Sequence, residues 1–214
     1  KIIGLSGGQG AGKSTITSIL KLIFKKQYGL NLCIFSLDDF YKTKIERVRM
    51  SKSIHPLFLT RGVPGTHDLR LLNKVIKKLK KKNFKTVLIP KFDKSTDDRF
   101  KKTKWQIIKT PPQIIILEGW CVGAISQKKS ELTRPINNIE KKLDRKLIWR
   151  NKVNNLLKNE YKIFFKKIDK LVYLKAPDFN HIFKWRLIQE QKLKLTSKSK
   201  KIMSKNQIKE FIMF

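Results

Sequence analysis

The sequence predicts an α/β fold of three layers, a mostly parallel central sheet wrapped by helices. Three observations predict it. Short apolar, β-branched runs bounded by turn residues recur along the chain. Segments of helical period lie between them. One glycine-rich string, GGQGAGKS at residues 7–14, joins the first run to the first such segment. Strands that alternate with helices are joined by crossovers, which makes them parallel and puts the ligand at their carboxyl ends.

The strand-like runs are Lys1–Ser6, Leu32–Leu37, Thr86–Ile89, Gln113–Leu117 and Lys170–Leu174, each short and apolar enough to be read as buried. Lys13 to Tyr28 is the first helix, with Ile16, Ile19, Leu20, Ile23 and Phe24 expected on one face. Asp68 to Lys82 is the second, with Leu72, Val75, Ile76 and Leu79 inward and lysines outward. A long helical stretch covers Glu140 to Lys167 with a break near Arg150, and a last helix runs from Asp178, after Pro177, toward Leu195.

A chain of 214 residues with 40% hydrophobic content supports one good-sized domain, taken as residues 1–214. It begins at Lys1 rather than at a methionine and leads directly into a strand, so truncation at the start is expected. No apolar run approaches the ~20 residues needed to span a bilayer, and no membrane partner is expected. The two cysteines, Cys33 and Cys121, sit in apolar strand-like contexts, which favours a reducing, cytoplasmic compartment over a disulfide scaffold. His55, His67 and His181 have no neighbours at zinc spacing, so no structural metal is expected. The net charge of +34 comes mostly from lysines spread along the chain, in company with Ile and Asn, as AT-rich coding would give. It is read as a lysine-rich surface without a specific nucleic-acid partner. A nucleic-acid-stimulated ATPase is the rival reading; it predicts a steep salt dependence, but no RNA-recognition signature or stacking array of aromatics accompanies it.

The string at residues 7–14, with Thr15 behind it, fits G-x-x-x-x-G-K-[ST] at Gly7, Gly12, Lys13 and Ser14. Glycines let the backbone bend so that its amides face phosphate oxygens, and the helix N-terminus adds partial positive charge. Gly7, Gly8, Gln9, Gly10, Ala11, Gly12, Lys13, Ser14 and Thr15 are therefore the expected ATP cradle, with Lys13 on the β- and γ-phosphates and the Ser14 hydroxyl on Mg²⁺. The second strand ends in SLDDFY, residues 36–41, where two adjacent carboxylates repel each other beside the cradle. An acceptor hydroxyl needs a carboxylate to orient it and take its proton, and Asp38 is assigned that role. Asp39 is a helper or a magnesium contact, or else caps the following turn. QIIILEGW, residues 113–120, is an apolar strand ending in one acid, and Glu118 is read as a Mg²⁺ holder, directly or through water.

SLDDFY, RGVPGTHDL, PKFDKSTDDRF and LEGWCVG occur in the order found in the D-glycerate 3-kinases and their P-loop kinase relatives, and VYLKAP and KWRLIQEQKL are also similar to that family. The resemblance covers nearly the whole chain. The phosphate loop is shared by a large superfamily, whereas G-x-x-G-T-H-D followed by D-K-S and D-R is far more specific. Uridine kinase, phosphoribulokinase and pantothenate kinase are more distant cousins that lack the Gly-Thr-His-Asp string.

The resemblance implies a kinase that uses ATP and Mg²⁺ to convert D-glycerate to 3-phosphoglycerate; a kinase of the same fold acting on another small alcohol is the alternative. It implies acceptor contacts at Asp39, Tyr41, Arg61, Thr66, His67, Asp68, Asp93, Lys94 and Arg99. Pro64 and Gly65 would set a tight turn that delivers His67 and Asp68, and Asp68 is equally placed to cap the next helix. A carboxylate substrate wants a planar two-pronged cation, for which Arg61 and Arg99 are the choices. In this superfamily the segment KWRLIQEQ acts as a lid, and Arg186 would stabilise the migrating phosphoryl group. Helical spacing puts Arg186, Gln189 and Glu190 on one side, although Phe183, Leu187 and Trp185 also suit an ordinary amphipathic helix. One departure stands out: only Thr96 and Asp97 separate D-K-S from D-R, where the family often has a longer insert containing glycine. The chain also stops at EFIMF, where the family usually continues, so truncation at this end is expected as well.

Overall fold

In the computed structural model, which describes residues 1–196 and 203–213, the chain runs β1 (Ile2–Gly7), α1 (Lys13–Tyr28), β2 (Leu32–Ser36), α2 (Lys44–Ser53), α3 (Leu69–Leu79), β3 (Val87–Ile89), β4 (Phe92–Asp93), β5 (Asp98–Arg99), β6 (Gln106–Ile108), β7 (Ile114–Gly119), α4 (Asn138–Leu143), α5 (Ile148–Leu156), α6 (Lys162–Phe165), β8 (Lys170–Leu174), α7 (Phe179–Thr196) and α8 (Lys205–Phe211). The main sheet has the order β2-β7-β1-β8, and every pairing in it is parallel.

Side-chain alternation along the strands creates the layers. Ile2, Cys33, Phe35, Ile115 and Leu117 point to one face and pack with Leu69, Leu72, Val75, Ile76 and Leu79 of the α3 segment and with Tyr161 and Phe164. Leu5, Leu32 and Ile116 point to the other face and meet Leu20 and Phe24 of α1. The expected inner face of α1 is therefore narrower than its apolar residues suggest. Thr17 is buried and Leu20 and Phe24 are half-buried, whereas Ile16, Ile19 and Ile23 are exposed. The spacing of 17, 20 and 24 is the one stripe of a straight helix that touches the sheet beneath it. α3 follows the expectation, with all four named residues buried.

Two predicted strands form but not as buried members of the parallel sheet. β3 pairs antiparallel with β6 in a separate two-stranded sheet. β8 joins the main sheet, but at its edge, and Leu171, Val172 and Tyr173 are 50%, 48% and 64% exposed. The apolar run fixed the strand; burial needed a second neighbour, and among the described residues β8 pairs with β1 only.

The long helical stretch breaks just before Arg150, and the cause is local. Leu147 has φ 61, and the Asp144 carboxylate accepts from the amides of Trp149 and Arg150 at 2.9 and 3.0 Å. The same carboxylate accepts from Arg150 Nε at 3.0 Å, so a buried cation and its acid restart the helix. α2, which no apolar period announces, starts with a capping box in which Thr43 and Glu46 exchange bonds. Its neighbour in space is a small core of Leu57, Phe58, Val63 and Trp149. Among the described residues no helix is long and apolar enough to cross a membrane.

Gly65 lies where these layers meet. Its φ is 108°, and a Cβ there would lie 2.7 Å from Leu156 Cδ1 and 3.2 Å from Phe58 Cε1. Gly65→Ala should therefore lose more than about 1 kcal/mol of stability, read as a lower urea midpoint with an unchanged slope. A midpoint equal to that of the parent would show that neither the turn nor the packing constrains this position.

Candidate active site

Parallel register brings the carboxyl ends of β1, β2 and β7 level. Ser6 pairs with Gly119, and Ser36 pairs with Glu118. From Gly7 the chain turns through Gly10 and Gly12, whose φ values of 77° and 78° suit glycine best. α1 then starts at Lys13 with no side-chain cap, leaving its first amides open at the loop. Lys13 Nζ donates to the carbonyls of Gly7 and Gly8 at 2.8 and 2.9 Å. Gln9 and Ala11 are half-buried, while Ser14 and Thr15 are exposed on the first turn of α1. α7 crosses this loop: a Cβ on Gly10 would lie 2.5 Å from Trp185 Cβ, and one on Gly8 would lie 3.0 Å from Ile182 Cδ1. Glycine at both positions is what lets the helix approach so closely.

The two acids of SLDDFY diverge. Ser36 Oγ accepts from the Asp38 amide at 3.2 Å and starts a tight turn. Asp38 Oδ1 then accepts from the Tyr41 hydroxyl and Oδ2 from Lys94 Nζ, each at 3.0 Å. Asp39 turns to the other side, where Lys91 Nζ lies 2.8 Å away and the Phe92 amide donates at 3.4 Å. Opposite partners remove the repulsion that the adjacent acids imply in the sequence. Burial pushes the Asp38 carboxyl up, but the Lys94 ammonium, His67 and the Tyr41 hydroxyl together hold it below the usual range. Glu118 goes the other way. Burial raises it and Asp38 adds to the rise, while Lys13 opposes it. Lys13 is itself lowered by burial, with Glu118 and Asp38 resisting. The cradle lysine and two acids thus form one electrostatic cluster in which the acids are driven apart, one toward the ionised form and the other toward the neutral one.

The loop RGVPGTHDL is joined to the Asp38 turn through backbone. Lys42 N donates to Thr66 O at 2.8 Å, Asp68 N donates to Phe40 O at 2.7 Å, and Tyr41 bridges His67 in antiparallel fashion. Thr66 is fully buried; its hydroxyl donates to Val63 O at 2.7 Å and accepts from Gly62 N at 3.2 Å, closing the turn. His67 is 2% exposed and stacks on Tyr41 with ring centroids 4.6 Å apart. Burial lowers its pKa to about 4, so the ring is neutral near pH 7. Asp68 does cap α3, accepting from the Leu71 amide at 2.9 Å, and it also pairs with Arg99 at 3.3 Å. Arg99 donates to Tyr41 O at 2.8 Å as well.

β4 and β5 form the hairpin of PKFDKSTDDRF, and the short Thr96-Asp97 link makes it tight. The Asp93 carboxylate shapes the turn by accepting from the amide and hydroxyl of Ser95 at 2.9 and 2.6 Å. Asp97 takes φ 58, and its carboxylate pairs with both Arg47 and Arg61. Arg47 is a residue that the sequence reading missed. It is fully buried and donates to the carbonyls of Lys42 and Leu59 at 3.3 and 2.7 Å, tying three loops together. Its signal was an arginine within a capped helix that lacks an apolar face. Arg61 lies over the Phe92 ring at 5.5 Å. Arg186 donates to Gln189 Oε1 at 2.7 Å, pairs with Glu190 and lies over Phe211, so in this state it is engaged on α7 and α8.

Lys13, Asp38, Tyr41, Lys94 and Glu118 thus converge at the strand ends, while Asp39, Thr66, Asp68 and Asp93 bond chiefly to the loops that frame them. A nucleotide cradle beside an ionised acid is the layout of phosphoryl transfer. Comparison with known proteins agrees. The profile of the Phosphoribulokinase / Uridine kinase family matches residues 2–134. The uncharacterized kinase mug58 of Schizosaccharomyces pombe is 37% identical, over 99% of this chain and 76% of its own length. The chloroplastic D-glycerate 3-kinase of Arabidopsis thaliana is 29% identical over 99% of this chain, which spans 45% of that enzyme. The solved structure of D-glycerate 3-kinase from Cryptococcus neoformans superposes with a TM-score of 0.84 at 29% identity, covering 99% of this chain and 75% of its own. The chain belongs to the phosphoribulokinase and uridine kinase family, as an ATP-dependent phosphotransferase with an alcohol group as acceptor and with the D-glycerate 3-kinases among its relatives.

Proposed function

We propose that the acceptor is D-glycerate, converted to 3-phosphoglycerate with ATP and Mg²⁺. The observation that carries this reading is the charge balance beside Tyr41. Arg47 and Arg61 share the single Asp97 carboxylate, which leaves one positive charge uncancelled. Arg61 acts electrostatically on the Tyr41 phenol, the same group whose hydroxyl donates to Asp38. A cation with spare charge and a carboxylate base that both act on one phenol suit an acceptor with both a carboxylate and a hydroxyl. Arg99, neutralised by Asp68, is the weaker anion site of the two arginines. Two relatives named D-glycerate 3-kinase support the same choice.

In this reading the acceptor hydroxyl gives its proton to Asp38 as its oxygen bonds to the γ-phosphorus, and the bond to the β-phosphate oxygen breaks to release ADP. Lys13 exchanges its two loop carbonyls for phosphate oxygens, and Arg186, freed from Glu190, meets the charge on the migrating group. Ser14 and Glu118 are the residues that would hold Mg²⁺, which supplies charge neutralisation on the phosphates. The fit is chemical: both donors are hard oxygens, and the elevation of Glu118 by burial and by Asp38 is what a nearby cation reverses.

An ADP-release assay across D-glycerate, uridine, pantothenate and ribulose 5-phosphate tests the reading. Turnover is expected with D-glycerate, and Asp38→Asn should lower kcat by roughly 10²–10⁴ with the KM for ATP unchanged. Arg61→Met should raise the KM for D-glycerate about tenfold or more while sparing ATP. Preference for another acceptor would replace D-glycerate; hydrolysis stimulated by RNA would favour the nucleic-acid reading instead.

The pH dependence follows from Asp38. Its native pKa lies below the unfolded value of about 3.9. Its ionisation therefore contributes stability that is present above that value and is lost as pH falls through the native pKa. Lys94→Met removes the strongest of the influences that lower it, so the Asp38 midpoint should rise in carboxyl ¹³C titration, and the acid limb of kcat/KM should move to higher pH with it. A midpoint that stays in place would show that Lys94 does not set the charge of Asp38.

A further inference from the structure

α5 does not pass straight into α6. A π-helical turn, Leu157–Tyr161, lies between them, and such turns are rare and recur at functional sites. Its last residue, Tyr161, is 1% exposed and reaches the loop that carries His67. The Tyr161 oxygen accepts from the Gly65 amide at 2.8 Å and lies 2.7 Å from His67 Nδ1. Among the described residues the phenol's proton has no other acceptor than Nδ1, so the O–H is assigned as donating to that nitrogen. A neutral imidazole whose Nδ1 accepts carries its proton on Nε2. His67 Nε2 is buried and has no hydrogen-bond partner among the described residues, so no competing bond there sets the tautomer from that side.

The ordered ring is one layer of a stack. Its plane lies 21° from that of Tyr41, and the Tyr41 hydroxyl holds Asp38 Oδ1 at 3.0 Å. Lys94, Lys13, Glu118, His67, Tyr41 and the buried Cys121 are the titratable groups that act on or respond to the Asp38 carboxylate. Of these, Tyr41 holds Oδ1 and Lys94 holds Oδ2. A carboxylate accepts about four hydrogen bonds, so lone pairs remain for an acceptor, and the two held oxygens fix where they point.

We propose that Tyr161 is a positioning residue for phosphoryl transfer: by fixing the His67 ring and its tautomer it fixes Tyr41, and through Tyr41 the direction in which Asp38 meets the acceptor. This rests on the reading of Asp38 as the base. Tyr161 touches none of the reacting groups and acts only through its neighbours.

Tyr161→Phe keeps the ring and removes the hydroxyl, and the full chain is used throughout. Two-bond ¹H–¹⁵N spectra of the parent should show His67 purely as the Nε2–H tautomer at neutral pH, and an Nδ1–H ring would overturn the proposal with no variant needed. In Tyr161→Phe the tautomers should mix, and the Asp38 carboxyl midpoint should rise in the same direction as in Tyr41→Phe. A parent-like midpoint in Tyr161→Phe, beside a raised one in Tyr41→Phe, would sink the link. For the acceptor that the parent turns over, Tyr161→Phe should lower kcat roughly tenfold with the KM for ATP unchanged. In the Tyr41→Phe background the same change should cost less than about twofold, since the path is already cut; additive losses would show a merely structural role. Asp38→Asn separates the two ideas. If it retains turnover, the reading of Asp38 fails and this proposal with it. If it is dead while the losses from Tyr161→Phe and Tyr41→Phe are additive, Tyr161 alone is misassigned.

Discussion

Parallel pairing in one register is the constraint from which the rest of the molecule follows. Because β7 lies between β1 and β2, their carboxyl ends finish at one level and on one edge. The phosphate loop leaves one of those ends, the Asp38 turn leaves the second, and Glu118 closes the third. No loop has to reach far to bring a cradle and two acids together. Each loop can be short, and each is then held by the next: the RGVPGTHDL loop bonds through backbone to the Asp38 turn, and the β4–β5 hairpin is tied to the first through Arg61 on Asp97 and to the second through Arg99 on the Tyr41 carbonyl.

Charge is arranged on that edge by pairing rather than by number. The chain carries +34, yet the cations that matter are those whose partners are counted. Lys91 settles Asp39, Lys94 settles Asp38, and Arg99 settles Asp68. Among the described residues, only at Asp97 do two guanidinium groups meet one acid. A carboxylate whose pKa is held down beside one that is pushed up separates a group that stays charged from one biased toward its neutral form.

Much of this was legible in the sequence because its signals are local. The strand–glycine–helix string gave the loop; the apolar period of Asp68–Lys82 gave α3 and its inner face; SLDDFY gave the acid turn. What was not legible depends on neighbours distant in the chain. The apolar run at Lys170–Leu174 could not say that it would lie on an edge, and the isoleucines of α1 could not say how narrow a stripe of that helix the sheet would cover. Asp97 looked like part of a shortened loop, and its two arginine partners come from positions 47 and 61. Tyr161 was one more aromatic residue in a helical run until the π turn and the position of the His67 loop gave it a role.

The open edge of the sheet has a consequence for how the protein behaves in a tube. Among the described residues β8 pairs with β1 only, and its outer backbone groups, flanked by half-exposed Leu171, Val172 and Tyr173, are a template for another strand. Electrostatic repulsion between copies bearing +34 opposes such self-association, and that protection reaches only as far as the Debye length, about 10 Å at 0.1 M salt. High ionic strength, the usual remedy for a sticky basic protein, thus works against colloidal stability here by letting two bare edges approach.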